Sequence, residues 1–207
     1  TAAPRTQCGH RWPRASARWT IVPSLGVDYE EVKKVNPRII YCSLSGYGQE
    51  GPYSHMPGHD LNYIGYAGIL SVVGELDGPP VIPDNYLGDL AGASLHAVIG
   101  ITTAIVARER TGKGQFVDVS YTDAAVSLNS TSLGVYLLTG HTYDRGGMPT
   151  CGAYPSYSVY RARDGKWLTL GCIEPWFWEN ACRALGLEQY IQDGMFPFDA
   201  YLKKRPD

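Results

Sequence analysis

The chain has 207 residues, 44% of them hydrophobic and 18% charged, with a net charge of −2. This suits a globular protein of one or two domains and excludes a disordered one. So small a net charge gives no electrostatic grip on nucleic acid or on an anionic membrane, and no nucleic-acid motif is present. Five cysteines, odd in number and without ligand-like spacing, read as reduced thiols of a cytoplasmic protein rather than as a disulfide framework or a metal site.

Residues 1–22 carry Arg5, Arg11, Arg14 and Arg18, with no acid and no apolar period. A targeting peptide fits this composition; a damaged or out-of-frame start fits it too and is the reading preferred. Next, the pattern predicts a short helix over Val27–Val35 and a buried strand over Arg38–Ser43. Glycine and prolines make Gln49–Pro57 a loop, and a helix is expected over Asp60–Val73 with His59 near its start. Asp77–Asp84 is a Pro/Gly loop that could rim a pocket. From Asp89 a long helix runs to Gly112 or Gly114. Within it, Leu90–Ala107 carries no formal charge and is the one transmembrane candidate; His96, Ser94, Thr102, Thr103 and two glycines instead favour a buried helix in a soluble core. A strand over Gln115–Ser120 and a helix over Asp123–Leu138 follow.

Gly140–Pro155, rich in Gly, Pro and Thr, marks a domain junction. Beyond it, Tyr157–Ala162 and Lys166–Leu170 alternate around Arg163-Asp164-Gly165, a hairpin signal. Pro175–Leu185 then forms a helix stopped by Gly186. The tryptophans and tyrosines of this half read as core in preference to an acyl-tail pocket. Lys203–Arg205 reads as solvated surface.

Three ionisable residues stand out. Gly58-His59-Asp60 offers an imidazole, Gly88-Asp89-Leu90 a carboxylate, and Glu174, before Pro175, a second carboxylate. An imidazole and a carboxylate on opposite sides of a carbon could remove a proton from one face and return one to the other. Each also has a plainer reading: His59 as a surface residue, Asp89 as an N-cap, Glu174 as a helix-start carboxylate. His55 and His59 stand four apart, but Pro57 between them argues against a helical metal pair, and no metal is expected. Thr111-Gly112-Lys113-Gly114-Gln115 follows a helix and precedes a strand, the wrong context for a phosphate loop.

The text around these residues is long and particular. It runs from Asn36-Pro37-Arg38-Ile39-Ile40-Tyr41-Cys42-Ser43-Leu44-Ser45-Gly46-Tyr47-Gly48-Gln49-Glu50-Gly51-Pro52, through Gly58-His59-Asp60-Leu61-Asn62-Tyr63 and Gly88-Asp89-Leu90-Ala91-Gly92. It continues in Glu109-Arg110-Thr111-Gly112-Lys113-Gly114-Gln115-Phe116-Val117-Asp118-Val119-Ser120, in Tyr157-Ser158-Val159-Tyr160, and in Gly171-Cys172-Ile173-Glu174-Pro175. This text resembles the family III (CaiB/BaiF-like) CoA-transferases from residue 25 to about 190, and within them the α-methylacyl-CoA racemase branch, where glycine-histidine-aspartate is typical.

The resemblance implies an α/β fold, here a fragment: part of the large α/β domain plus a smaller α+β domain. Residues 1–24 lie outside it, 25–140 form the large-domain part with His59 and Asp89, 141–155 link, and 156–207 form the smaller domain, which reads as cut short. It implies that His59 and Asp89 are the acid/base pair, that Glu174 supports the histidine, and that the substrate is an acyl-CoA thioester. No prosthetic group is implied; coenzyme A enters as part of the substrate. The full-length family member is an interlocked homodimer, with neither nucleic acid nor membrane as partner. In the transferases the residue at the position of Asp89 is instead an acyl-accepting nucleophile, and the histidine is usually lacking, so His59 tips the reading towards racemisation. A non-catalytic fragment is the third alternative.

Overall fold

The computed structural model describes residues 22–193, in two compact units. The first takes in the chain up to Ala67 together with Asp84–Leu128; the second takes Gly68–Pro83 and the chain from Asn129 onward.

In the first unit, helix α1 (Tyr29–Val35) is capped by Asp28, which accepts from the Glu31 N–H at 3.1 Å, as a short polar side chain at that position does. Strand β1 (Ile40–Ser45) pairs in parallel with β2 (Gln115–Ser120), Ile40 opposite Gln115 and Ser45 opposite Ser120. Parallel pairing requires a crossover, and the crossover contains helix α2 (Asp60–Tyr66), a π-helical stretch (Leu87–Ser94) and helix α3 (Leu95–Thr111). Helix α4 (Tyr121–Leu128) follows β2 directly. A small core of Ala93, Ala97, Val119 and Ala124, with Cys42, Val117 and Tyr121 packed on it, joins the π-helical stretch and α3 to the sheet and α4. Three of those four residues are alanine, so the helices approach closely.

Two expected helices are each broken. The one expected over Asp60–Val73 ends at Tyr66, because Gly68 takes a left-handed conformation at φ 79°, and a separate single turn, Ile69–Val72, follows in the second unit. Only glycine enters that region without steric cost. The one expected over Asp123–Leu138 is interrupted at Asn129, which leaves helical geometry at ψ 19°. The uncharged helix is also corrected in its surroundings: of α3 only Ala97 and Ala104 are buried, whereas Leu95, Val98, Ile99 and Val106 are each more than half exposed. Leu87–Thr111 is, among the described residues, the one helix long and apolar enough to cross a membrane by length and composition, with 22% of its most apolar window buried.

In the second unit, helix α5 (Ser130–Thr139) precedes an antiparallel hairpin of β3 (Tyr157–Arg161) and β4 (Trp167–Gly171), in register from Tyr157 opposite Gly171 to Arg161 opposite Trp167. The turn is the one the Asp-Gly pair predicts, with Asp164 accepting from the Lys166 N–H at 3.1 Å. Helix α6 (Pro175–Leu185) buries Trp178 and Cys182, and the Trp178 indole donates to the Tyr190 carbonyl at 3.1 Å. A cavity of about 430 Å³, almost wholly apolar, opens between the hairpin and this helix, lined by Tyr160, Leu168, Leu170, Trp178, Leu187 and Tyr190 among others.

Candidate active site

The site is assembled in the first unit where the start of α2 meets the π-helical stretch. The approach to α2 is shaped by Tyr63, whose hydroxyl donates to the Gly58 carbonyl at 2.6 Å. Its ring stacks on Tyr121, centroids 5.1 Å apart, and meets Tyr47 edge-on at 5.3 Å. Gly58 lies so close to this ring that a Cβ there would stand 2.6 Å from Tyr63 Cε1 and 3.0 Å from the Tyr47 hydroxyl. Because Tyr63 is pinned on two faces, Gly58→Ala should cost about 1–3 kcal/mol of stability, read as a lowered urea midpoint. An unchanged midpoint would mean that the ring swings aside freely.

His59 follows in extended geometry (φ −133°, ψ 174°) as the cap of α2, its backbone N–H donating to Asn62 Oδ1 at 3.0 Å. That bond fixes the chain where the imidazole leaves it. The residue is exposed, so its ring is accessible to a ligand.

Asp60, the first residue of α2, makes the link that the sequence does not announce: its Oδ2 accepts the backbone N–H of Asp89 at 2.9 Å. This one bond brings the two motifs together. Asp89 is not an N-cap, which corrects the plainer reading of it; it is the third residue of the π-helical stretch, whose cap position is held by Tyr86 in a left-handed conformation at φ 44°. Its Oδ1 is buried and has no hydrogen-bond partner among the described residues. Burial pushes the Asp89 carboxyl above the usual carboxylate range, the neighbouring Asp60 charge adds to this, and His59 opposes it. A carboxylate deprived of water and set beside another negative charge holds its proton more tightly. Burial also pushes up the Tyr121 phenol, with the Asp89 charge as a second cause, so Tyr121 belongs to the same electrostatic neighbourhood.

The structure therefore brings His59 and Asp89 together and adds Asp60, Tyr63 and Tyr121. Asp60 was visible in the motif but carried no role. Tyr63 stands four residues, about one helical turn, after His59, and Tyr121 stands immediately after a strand end, a common place for site residues; both signals are weak. Glu174 lies in the second unit, exposed, at the cap position of α6. Its side chain makes no capping hydrogen bond there, so helix capping is not what occupies it.

This arrangement can move protons. A carboxyl shifted towards holding its proton and an accessible imidazole are the two kinds of group that general acid–base chemistry uses.

Comparison with known proteins gives the chain's family. The family model described as CoA-transferase family III matches residues 15–205. Human alpha-methylacyl-CoA racemase is 37% identical over 168 residues, covering 81% of this chain and 44% of that protein. The acetyl-CoA:oxalate CoA-transferase of Acetobacter aceti is 35% identical over 177 residues, covering 85% of this chain and 45% of that protein. Among solved structures, a CAIB/BAIF family protein from Brucella suis superposes with a TM-score of 0.71 at 29% identity, covering 84% of this chain and 46% of that one. The chain thus spans a little under half the length of these relatives. With the family model matched over nearly its whole length and the fold shared with a CAIB/BAIF protein, the chain belongs to CoA-transferase family III.

Proposed function

We propose that the protein is an α-methylacyl-CoA racemase-like isomerase, moving a proton at the α-carbon of a 2-methylacyl-CoA thioester. The observation that carries this reading is the Asp89 carboxyl, its pKa raised by burial and its backbone tied to the His59-Asp60 turn. In one direction neutral His59 takes the α-proton, the thioester carbonyl becomes an enolate, and protonated Asp89 returns a proton to the opposite face. In the other direction the roles reverse. A thioester α-proton is only weakly acidic, so both groups must be held at contact distance, and such placement accounts for much of the rate. Glu174 is assigned to accept the second imidazole N–H and hold the tautomer; this assignment rests on the family resemblance. No prosthetic group takes part, and coenzyme A enters as part of the substrate.

The alternative is a CoA-transferase in which Asp89 is acylated, a reading favoured by relatives that carry transferase names. The two chemistries ask opposite things of one residue. Racemisation needs a second acid/base group opposite Asp89, and His59, which the transferases usually lack, supplies it, which places racemisation first. Incubated in deuterated water with a 2-methylacyl-CoA and no acceptor acid, the protein should place deuterium at the α-carbon, seen by mass spectrometry. No deuterium, with CoA passing to an added carboxylate and an Asp89 adduct trapped by hydroxylamine, would establish the transferase instead.

Self-association belongs to the same proposal. The exposed apolar residues of α3, and Leu137 and Leu138 of α5 at 72% and 88% exposed, leave apolar surface open to a partner. A homodimer would cover it.

A further inference from the structure

Asp89 rides on a backbone wound more widely than an α-helix. Leu87–Ser94 is π-helical, and α geometry resumes at Leu95. A π-turn is rare and inferior to the α-helix in free energy, so it persists where its surroundings hold it. The Ser94 hydroxyl donates to the Asp89 carbonyl at 2.7 Å, a bond that spans five residues. In an α-helix a serine back-bonds over three or four residues. The span of five matches the π register and is lost if the turn tightens.

A second bond secures the junction with α3. His96 Nδ1 stands 2.7 Å from the Gly92 carbonyl, which can only accept, so this nitrogen carries the proton. Its Nε2 lies 3.0 Å from the Ser127 hydroxyl on α4, whose one proton it shares with the Ala124 carbonyl at 2.6 Å. The imidazole therefore fastens the end of the π-turn to the neighbouring helix.

We infer that Ser94 is a positioning residue for Asp89: its hydroxyl, backed by the His96–Ser127 link, holds the π-turn that aims the Asp89 carboxyl. Relaxing the turn to α geometry would shift the register by one residue and rotate Asp89 by roughly 100°, swinging the carboxyl away from His59 and Asp60. The inference rests on the reading of Asp89 as the working carboxylate, but its test does not need turnover.

The test labels the aspartate carboxyl carbons of the full chain with carbon-13 and follows their titration by NMR in the wild type, Ser94→Ala and Ser94→Thr. Asp60 is recorded in the same spectra, since it shares the neighbourhood. Ser94→Ala should move the Asp89 midpoint to lower pH as its carboxyl turns into water, leaving remote aspartates in place, and Ser94→Thr, which keeps the hydroxyl, should restore it. An unmoved Asp89 midpoint in a Ser94→Ala protein with a dispersed amide spectrum overturns the inference. Should that variant fail to fold, Ser127→Ala removes the anchor instead and is read in the same way. A lowered midpoint in Ser94→Ala, with no α-deuteration by the wild type, leaves the positioning role standing and removes the racemase reading. An unmoved midpoint with intact deuteration removes the positioning role alone.

Discussion

His59→Ala should abolish conversion of either 2-methylacyl-CoA enantiomer into the other, while sparing proton exchange from one of them. In a two-base site each group faces one enantiomer's α-hydrogen. Without the imidazole, the enantiomer that presents its hydrogen to His59 has no base, and its exchange should fall by about 10²–10⁴-fold, the usual worth of a positioned acid or base. The enantiomer that presents its hydrogen to Asp89 still meets a carboxylate and retains most of its exchange. The measurement is deuterium wash-in from each pure enantiomer, followed by proton NMR. Undiminished exchange from both would remove His59 from the chemistry, and an equal loss from both would point to a role in binding.

Asp89→Asn should produce two effects of opposite sign. Activity falls by about 10²–10⁴-fold, because an amide neither accepts nor delivers the proton. Stability near neutral pH rises. The native state holds the Asp89 proton more tightly than the unfolded chain does, through burial first and the Asp60 charge second. The group's contribution to stability is therefore fully present below the unfolded pKa, about 3.9 for Asp, and is lost as pH rises through the folded value. Above that unfolded value the unfolded chain ionises freely while native Asp89 resists ionisation, a cost that uncharged asparagine does not carry. The melting temperature of Asp89→Asn should exceed that of the wild type at pH 7, with the gap closing as the pH falls towards 4. A variant less stable than the wild type at pH 7 would show that the carboxylate makes favourable contacts in the fold. A gain in stability with loss of function is the mark of a residue kept for chemistry.

Much of the element order was legible because it depends on local pattern. The strand at Gln115–Ser120 and the helix at Pro175–Leu185 stand where alternation and a proline start place them, and the hairpin forms around its Asp-Gly turn. The breaks at Gly68 and Asn129 were not legible, since apolar spacing runs through both and the choice to turn is made by what each half packs against. The exposed face of α3 was misread for a related reason. An apolar stretch reports what a helix could bury, but not whether a partner surface is present to bury it.

For the site, the motifs themselves named His59 and Asp89, because few residue types can exchange a carbon-bound proton near neutral pH and the surrounding text ties these two to a family. The sequence alone determined the family, the α/β class and these two candidate groups, since all three depend on which residue types stand in which order. The tertiary structure decided what the groups can do. Asp60 receives the Asp89 N–H across 29 residues of chain, Asp89 sits on a π-turn in place of an α-helical one, and burial of its carboxyl raises its affinity for a proton. None of these is a local property: a long-range hydrogen bond, a helix register and a desolvation each exist only once segments remote in sequence have packed together.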